Sequence, residues 1–222
     1  MEKFSSSSAK LMTKPFSFAV VILAGGKSSR MNGINKAFLD INNQKLINII
    51  LFKFINLKLP IAINANQHIN RFKQFNNNVI QDKNYIGLGP LSGVYTAMNW
   101  TETQSLNWVL TLPCDVPFFP NDMFFKVEEK IKNINKNIKI ISFSSNEKKH
   151  HIISAWNLCL KKELKFALEN GVRKVDTFVS RFKNVYFNYN FDEKSLDPFF
   201  NINSENEIKK LENYKLNSIS KD

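Results

Sequence analysis

Directly after the apolar run 18–24 the chain reads Gly25-Gly26-Lys27-Ser28-Ser29-Arg30-Met31. Gly25 and Gly26 let backbone N–H groups approach an anion with no side chain in the way. Lys27, Ser28, Ser29 and Arg30 add donors and charge along the same loop, and Lys36 follows as a second cation. Such a set suits phosphate. It matches neither the GxxxxGK[ST] phosphate loop nor the GxGxxG dinucleotide loop. A glycine pair after a strand is commonly just a tight connection; the glycine pair with the serines, Arg30 and Lys36 is the more specific signal.

Three polar residues stand where apolar runs end: Asn64, Asp82 and Asp115. In an open α/β sheet the ligand crevice lies beyond the carboxyl ends of the strands. Each residue also has an ordinary use as a turn or helix-cap residue. Asp115 has the stronger case, because Pro113 and Pro117 restrain the backbone around it. A carboxylate held there suits Mg²⁺, a hard cation that prefers carboxylate and phosphate oxygens. No Ser-His-Asp or Cys-His set accompanies it, so the chemistry expected is charge neutralisation and positioning. Further along, Arg173, Lys174, Arg181, Asn201 and Asn203 are candidates to grip an acidic acceptor, against their alternative use on solvated helix faces or as caps.

The elements that must position these residues alternate. Runs at 18–24, 60–64, 79–82 and 108–112 are short and rich in Val and Ile, as buried parallel strands are. Helical spacing or entry signals occur at 44–54, 68–75 and 90–100, the last opening through Gly89 and Pro90. This alternation implies crossovers and a mostly parallel central sheet in a Rossmann-like three-layer α/β/α arrangement. The second half changes rhythm, with strands at 138–143 and 151–156 about a polar turn, helices at 161–169 and 175–182, short strands at 185–189 and 199–201, and a closing helix at 205–211. We expect a disordered tail over 1–17, one α/β domain over 18–214 and a flexible C-terminus over 215–222. Within the domain, 18–120 forms the nucleotide-binding half and 121–214 the acceptor half.

A chain of 222 residues has room for a full core, and 43% hydrophobic with 23% charged residues is ordinary for a globular protein. The net charge of +12 comes from scattered lysines in a sequence rich in Asn, Ile and Lys. Codon bias accounts for that pattern, and attraction of small polyanions is the functional alternative. A nucleic-acid surface would interleave basic patches with exposed aromatics; most of the 20 phenylalanines fall in apolar elements instead. No apolar run reaches the ~20 residues that span a bilayer. Lys3, Lys10 and Lys14 before the run at 16–24 imitate a secretory signal, but phosphate-loop glycines follow in place of a cleavage site. Cys114 and Cys159 are too few for a disulfide framework; buried reduced thiols and a cytoplasmic location are expected.

Taken together, LAGGKSSRM at 23–31, Lys36, NAN at 64–66, Asp82, GPLSG at 89–93 and PCDVP at 113–117 resemble the molybdenum cofactor guanylyltransferases in order and spacing. Phe200-Asn-Ile-Asn-Ser-Glu205 is similar to that family's Asn-x-Asn-Thr-Pro-Glu segment. The resemblance implies a nucleotidyltransferase fold and transfer of GMP from GTP to the terminal phosphate of molybdopterin carrying molybdenum, with release of pyrophosphate. Carried over by position, Leu23, Ala24 and Gly25 contact GTP through the loop, and Lys36, Asn64 and Asp82 are further nucleotide contacts; by our own reading of the loop, Gly26 joins them, cradling phosphate beside Gly25. Asp115 holds Mg²⁺ by the same carry-over; by our own reading of the chemistry, Arg30 and Lys36 are the catalytic cations that neutralise charge on the α-phosphate and pyrophosphate. The family's His-Pro pair stands here as His150-His151, with His150 the better match and His151 read as ordinary strand structure. Its acidic residue before the lysine is Asn35, which can still close a turn. Partners implied are GTP, molybdopterin and a molybdoenzyme or cofactor-delivery protein; we expect a monomer. A CTP-dependent transferase acting on molybdopterin or a small sugar or alcohol phosphate uses the same loop and stays open. A non-catalytic carrier of the cofactor is the reading from another class; it predicts loss of Arg30, Lys36 or Asp115, and all three are present.

Overall fold

The computed structural model describes residues 15–25, 35–76, 78–192, 195–204 and 207–208. In chain order the elements are β1 (Ala19–Leu23), a hairpin of β2 (Asp40–Ile41) and β3 (Gln44–Lys45), α1 (Leu46–Phe52), β4 (Ile61–Asn64) and α2 (Ile69–Phe72). They continue with β5 (Val79–Ile80), α3 (Pro90–Thr103), β6 (Trp108–Pro113), α4 (Met123–Lys132), β7 (Ile140–Ser145) and β8 (Lys148–Asn157). Helices α5 (Lys161–Glu169) and α6 (Val175–Val179) and strand β9 (Asn184–Tyr189) complete the series.

Seven strands form one sheet in the order β5-β4-β1-β6-β8-β7-β9. Every pairing is parallel except those of β8 with β6 and β7. Strand β1 shows why its sequence is apolar without interruption: it is buried on both faces. Val20 and Ile22 enter one core with Ile47, Ile50, Phe72, Met123, Phe124 and Val127, from α1, α2 and α4. Val21 enters the other with Leu91, Val94, Leu164, Leu168, Phe178 and Val179, from α3, α5 and α6. Helices on both faces of a mostly parallel sheet give the three layers expected from the sequence.

Strand β8 is irregular in a way that bears on function. Its register against β7 jumps from Ser142↔Ser154 to Phe143↔His150, which leaves residues 151–153 bulged out of the ladder. A bulge re-aims side chains, and this one turns His151 and Ile152 toward the cavity described below. Its carbonyls find side-chain donors: Thr111 Oγ1 donates to Ile152 O at 2.6 Å and Ser154 Oγ to His151 O at 2.7 Å. Trp156 Nε1 donates to Thr111 Oγ1 at 2.9 Å, and Ser142 and Ser154 hydroxyls meet at 2.8 Å. Thr111, Ser142 and Ser154 are fully buried, so each bond replaces one that water would make.

Several expectations need correction. The segment 199–201 is loop, its Phe199 buried against Phe143, His150 and Tyr189. The apolar spacing of 44–54 begins with the β3 pairing and is helical only over Leu46–Phe52; α2 and α6 are likewise shorter than the runs 68–75 and 175–182. Phe16 and Ser17, given to the tail, are anchored: Ser17 N and Oγ both donate to Glu128 Oε2 at 2.8 Å, and Phe16 packs on Phe18 and Phe125. Burial raises the Glu128 pKa, but the Ser17 and Lys132 donors outweigh it and hold the carboxyl below its usual range. Cys159 is exposed on a 3-10 turn, while Cys114 is buried. The remainder of the 1–17 tail, most of the 205–211 helix and the 215–222 segment lie outside the described residues.

Thr111→Val keeps the shape of the side chain but strands the Trp156 N–H and the Ile152 carbonyl. We expect a loss of about 2 kcal/mol or more in urea unfolding, against a near-neutral effect if the bulge has no need of that hydroxyl.

Candidate functional site

The parallel strands β1, β4 and β6 all deliver their carboxyl ends to one cavity of about 900 Å³. Leu23, Ala24 and Gly25 enter from β1, Asn64 and Asn66 from β4, and Pro113, Cys114 and Asp115 from β6. The N-terminus of α3 enters from one side through Gly89, Pro90, Ser92 and Gly93. Gly89 adopts φ +92°, ψ −172°, a conformation that side chains resist, and Pro90 opens the helix where no N–H is needed. Fourteen aligned residues then present their positive end to the cavity, a natural place for anionic or carbonyl oxygen.

Lys36 and Asp115 form the charged centre. Lys36 sits on a 3-10 turn that Asn35 caps, its Oδ1 accepting from Ala37 N and its Nδ2 donating to Ala24 O, both at 3.0 Å. The asparagine that replaces an acidic residue thus ties the lysine turn to the end of β1. Lys36 Nζ donates to Asp115 Oδ2 at 2.8 Å and to Asn203 Oδ1. An ammonium has three donors, so one remains for a ligand. Asp115 Oδ1 is buried with no hydrogen-bond partner among the described residues. Leaving such an oxygen bare costs roughly 1–3 kcal/mol, a cost that a cation would remove. Next to it, burial and the Asp115 charge push the Cys114 thiol up, with Lys36 opposing them, so it remains protonated and no nucleophile.

Asp82 organises the wall between β4 and α3. Its Oδ1 accepts from Asn64 Nδ2 at 2.9 Å and Thr96 Oγ1 at 2.7 Å, and its Oδ2 from Asn66 Nδ2 at 2.8 Å. Ser92 Oγ lies 3.3 Å from Oδ2 but only 2.6 Å from Gly89 O. A hydroxyl has one proton, and the shorter bond takes it. Oδ2 therefore keeps an acceptor position. Gly93 is what lets Asn64 lie there: a Cβ on it would come within 2.9 Å of Asn64 Oδ1 and 3.1 Å of Leu23 Cδ2. At Gly25 the same Cβ would meet Asn66 and Asn64 at 3.5 and 3.7 Å, ordinary contact, so that glycine serves backbone access more than space.

The second half reaches the cavity through residues 151–152, 173–176 and Asn201. Asn201 and Asn203 join the Lys36 centre, since Ile202 N donates to Asp115 O at 2.8 Å. Lys174 lines the cavity as expected. Arg173 lines it too, but its Nη1 donates to Leu168 O at 2.7 Å and Val172 O at 3.0 Å, closing the end of α5. Arg181 is elsewhere, in a groove with Phe166 and Phe182. His150 also differs from the reading that preferred it: it faces away, with Nε2 2.6 Å from Ser145 Oγ and its ring on Phe199. Burial lowers its pKa, with Lys148 and His151 adding to the effect and Asp197 opposing it. His151 is the imidazole at the cavity. Thr96 and Asp176 were not singled out from the sequence. Thr96 has a weak signal in its place one helical turn after Ser92; Asp176 has none, because its partners are distant in the chain. Gly26 and Arg30 lie outside the described residues.

The sequence model of the MobA-like NTP transferase domain matches residues 20–182. The chain is 32% identical over 187 residues to the molybdenum cofactor guanylyltransferase of Pasteurella multocida, covering 84% of this chain and 95% of that one. It is 29% identical over 195 residues to that of Nitrobacter hamburgensis, covering 86% and 91%. A solved structure, molybdopterin-guanine dinucleotide biosynthesis protein A from Archaeoglobus fulgidus, is similar with a TM-score of 0.69 at 20% identity, over 90% of this chain and 99% of that one.

Helix propensity favours alanine over glycine by about 1 kcal/mol, yet Gly93→Ala drives a methyl into Asn64. We expect net destabilisation of about 1–3 kcal/mol, largely relieved when Asn64→Ala is combined with it in a double-mutant cycle. Additive effects in urea unfolding would contradict the packing argument.

Proposed function

The chain belongs to the MobA-like NTP transferase family, and on that footing we propose that it transfers GMP from GTP to the terminal phosphate of molybdenum-bearing molybdopterin, releasing pyrophosphate. The observation that carries this reading is Asp115: one carboxylate oxygen paired with Lys36, the other buried and bare, at the meeting point of the β1 loop and the acceptor half.

In the proposed reaction an acceptor phosphate oxygen attacks the α-phosphorus of GTP in line with the leaving pyrophosphate. Both reactants are anions, so positioning and charge neutralisation supply most of the rate. The backbone of Leu23, Ala24 and Gly25 lies along the phosphates, and Gly26 is assigned to the same contact by its place in the sequence. Lys36 offers its third N–H to charge developing on them, with Arg30 as the second cation. Asp115 Oδ1, buried and without a hydrogen-bond partner among the described residues, would hold Mg²⁺. One carboxylate with substrate phosphates completing the shell is the usual habit of that ion. When bound, the ion supplies further charge neutralisation at the phosphate oxygens.

Asp82 accepts from the guanine N1–H and 2-amino edge through the open position on Oδ2, and Asn64 serves the base or ribose. Lys174, Asn201 and Asn203 face the acceptor, Asn203 also holding Lys36 in place. Arg173 fixes the backbone after α5 through Nη1 and turns its remaining N–H groups to the acceptor. The protein in this reading works in the cytoplasm as a monomer and passes its product to a molybdoenzyme or a delivery protein.

Asp115→Ala should abolish pyrophosphate release from GTP with molybdenum-loaded molybdopterin while circular dichroism stays native, and Lys36→Ala should cost about 10²-fold or more. CTP and ATP run in parallel test the nucleotide choice. Ordinary turnover by Asp115→Ala, or faster release from CTP, would contradict the proposal.

A further inference from the structure

Among the described residues three carboxylates line the cavity: Asp82, Asp115 and Asp176. The first has its amide partners and the second its lysine. Asp176 is harder to account for, because a cavity meant for two phosphorylated substrates gains nothing from additional negative charge. Its place in the first turn of α6 is only a partial explanation, since that helix has five residues and a correspondingly small dipole.

The carboxylate is aimed by a chain of hydrogen bonds. Asp176 can only accept, so His151 Nδ1 carries a proton and donates it to Asp176 Oδ1 at 2.6 Å. His151 Nε2 then accepts from the Tyr186 hydroxyl at 2.9 Å, and that hydroxyl accepts from Asn184 Nδ2 at 3.4 Å. The imidazole is brought there by the bulge in β8, whose carbonyls Thr111 and Ser154 hold from within the core. His151 is mostly buried while the Asp176 side chain is 81% exposed. The second Asp176 oxygen has no partner among the described residues. A fixed imidazole thus holds an otherwise open carboxylate at the acceptor side of the cavity.

We infer that Asp176 recognises the acceptor by its amino edge. A fused 2-amino-4-oxopyrimidine presents a ring N–H and an exocyclic amine side by side, and a carboxylate accepts from both at once. The identity of the acceptor as a pterin rests on the transferase reading above; the donor pair that the carboxylate selects does not. Asp176 is the specificity residue and His151 a positioning residue that fixes its orientation. The bond is weak while Asp176 faces water and strengthens when the bound acceptor covers it.

The test is a fluorescence titration of molybdopterin into the full chain with Mg²⁺ and GTP, for wild type, Asp176→Asn, His151→Ala and His151→Asn. Asparagine at 176 keeps the shape but sets an N–H against a donor, so binding of molybdopterin should weaken roughly tenfold or more while GTP affinity stays within twofold. His151→Asn retains an N–H near the position of Nδ1 and should bind closer to wild type than His151→Ala. Free 6-hydroxymethylpterin should compete in wild type and lose that competition in Asp176→Asn. Binding within twofold of wild type in Asp176→Asn, or no pterin binding by wild type, overturns the inference. GMP transfer is followed in parallel: pterin binding without transfer would remove the transferase reading and leave the Asp176 contact standing.

Discussion

The arrangement depends on a carboxylate that is only half satisfied. Asp115 gives one oxygen to Lys36 and leaves the other buried without a partner. An interior normally resolves such a vacancy by rotation or by hydrogen bonding. Here the backbone around it is committed on both sides: Cys114 N donates to Leu23 O at 3.0 Å, and Ile202 N donates to Asp115 O at 2.8 Å. The backbone of Asp115 is therefore fixed between the end of β1 and the segment at Ile202, and the Lys36 bond to Oδ2 holds the side chain.

The rest of the sheet serves the same point. Parallel strands place Gly25, Asn64 and Asp115 at one edge because all three end in the same direction. The single reversed strand, β8, does something a parallel strand there would not: its bulge carries His151 to the opposite wall. One wall is thus set by amide hydrogen bonds to Asp82 and the other by an imidazole bonded to Asp176, with the lysine–aspartate pair between them. Neither wall needs a mobile element among the described residues to become polar and shaped.

How far the sequence revealed this varied with the range of the interaction. The buried run of β1 and the bounds of α5 were plain, since local apolar spacing decides them. Asn64, Asp82 and Asp115 were found because strand ends are punctuated by short polar residues. The loop at 199–201 carries the apolar spacing of a strand, but its Phe199 is drawn into the core by Phe143 and Tyr189, a tertiary effect that no local pattern contains. Arg173 reads as an anion ligand from its charge; the structure adds a second use that the sequence does not show, since Nη1 also holds the carbonyls of Leu168 and Val172. Position against the family's His-Pro pair favours His150; the structure puts His151 at the cavity, because the register jump in β8 re-aims it and its partners Asp176 and Tyr186 lie 25 and 35 residues away.

The central claim is that polyphosphate and a divalent ion gather at the tip of the opening strand, on the bare oxygen of Asp115. A crystal of the protein grown with GTP and Mg²⁺ addresses it directly. The account predicts the ion about 2.1 Å from Asp115 Oδ1, with the triphosphate along the backbone at Gly25 and the Lys36 ammonium turned toward it. A triphosphate bound away from that turn, or an ion that leaves Asp115 Oδ1 without a ligand, would contradict it.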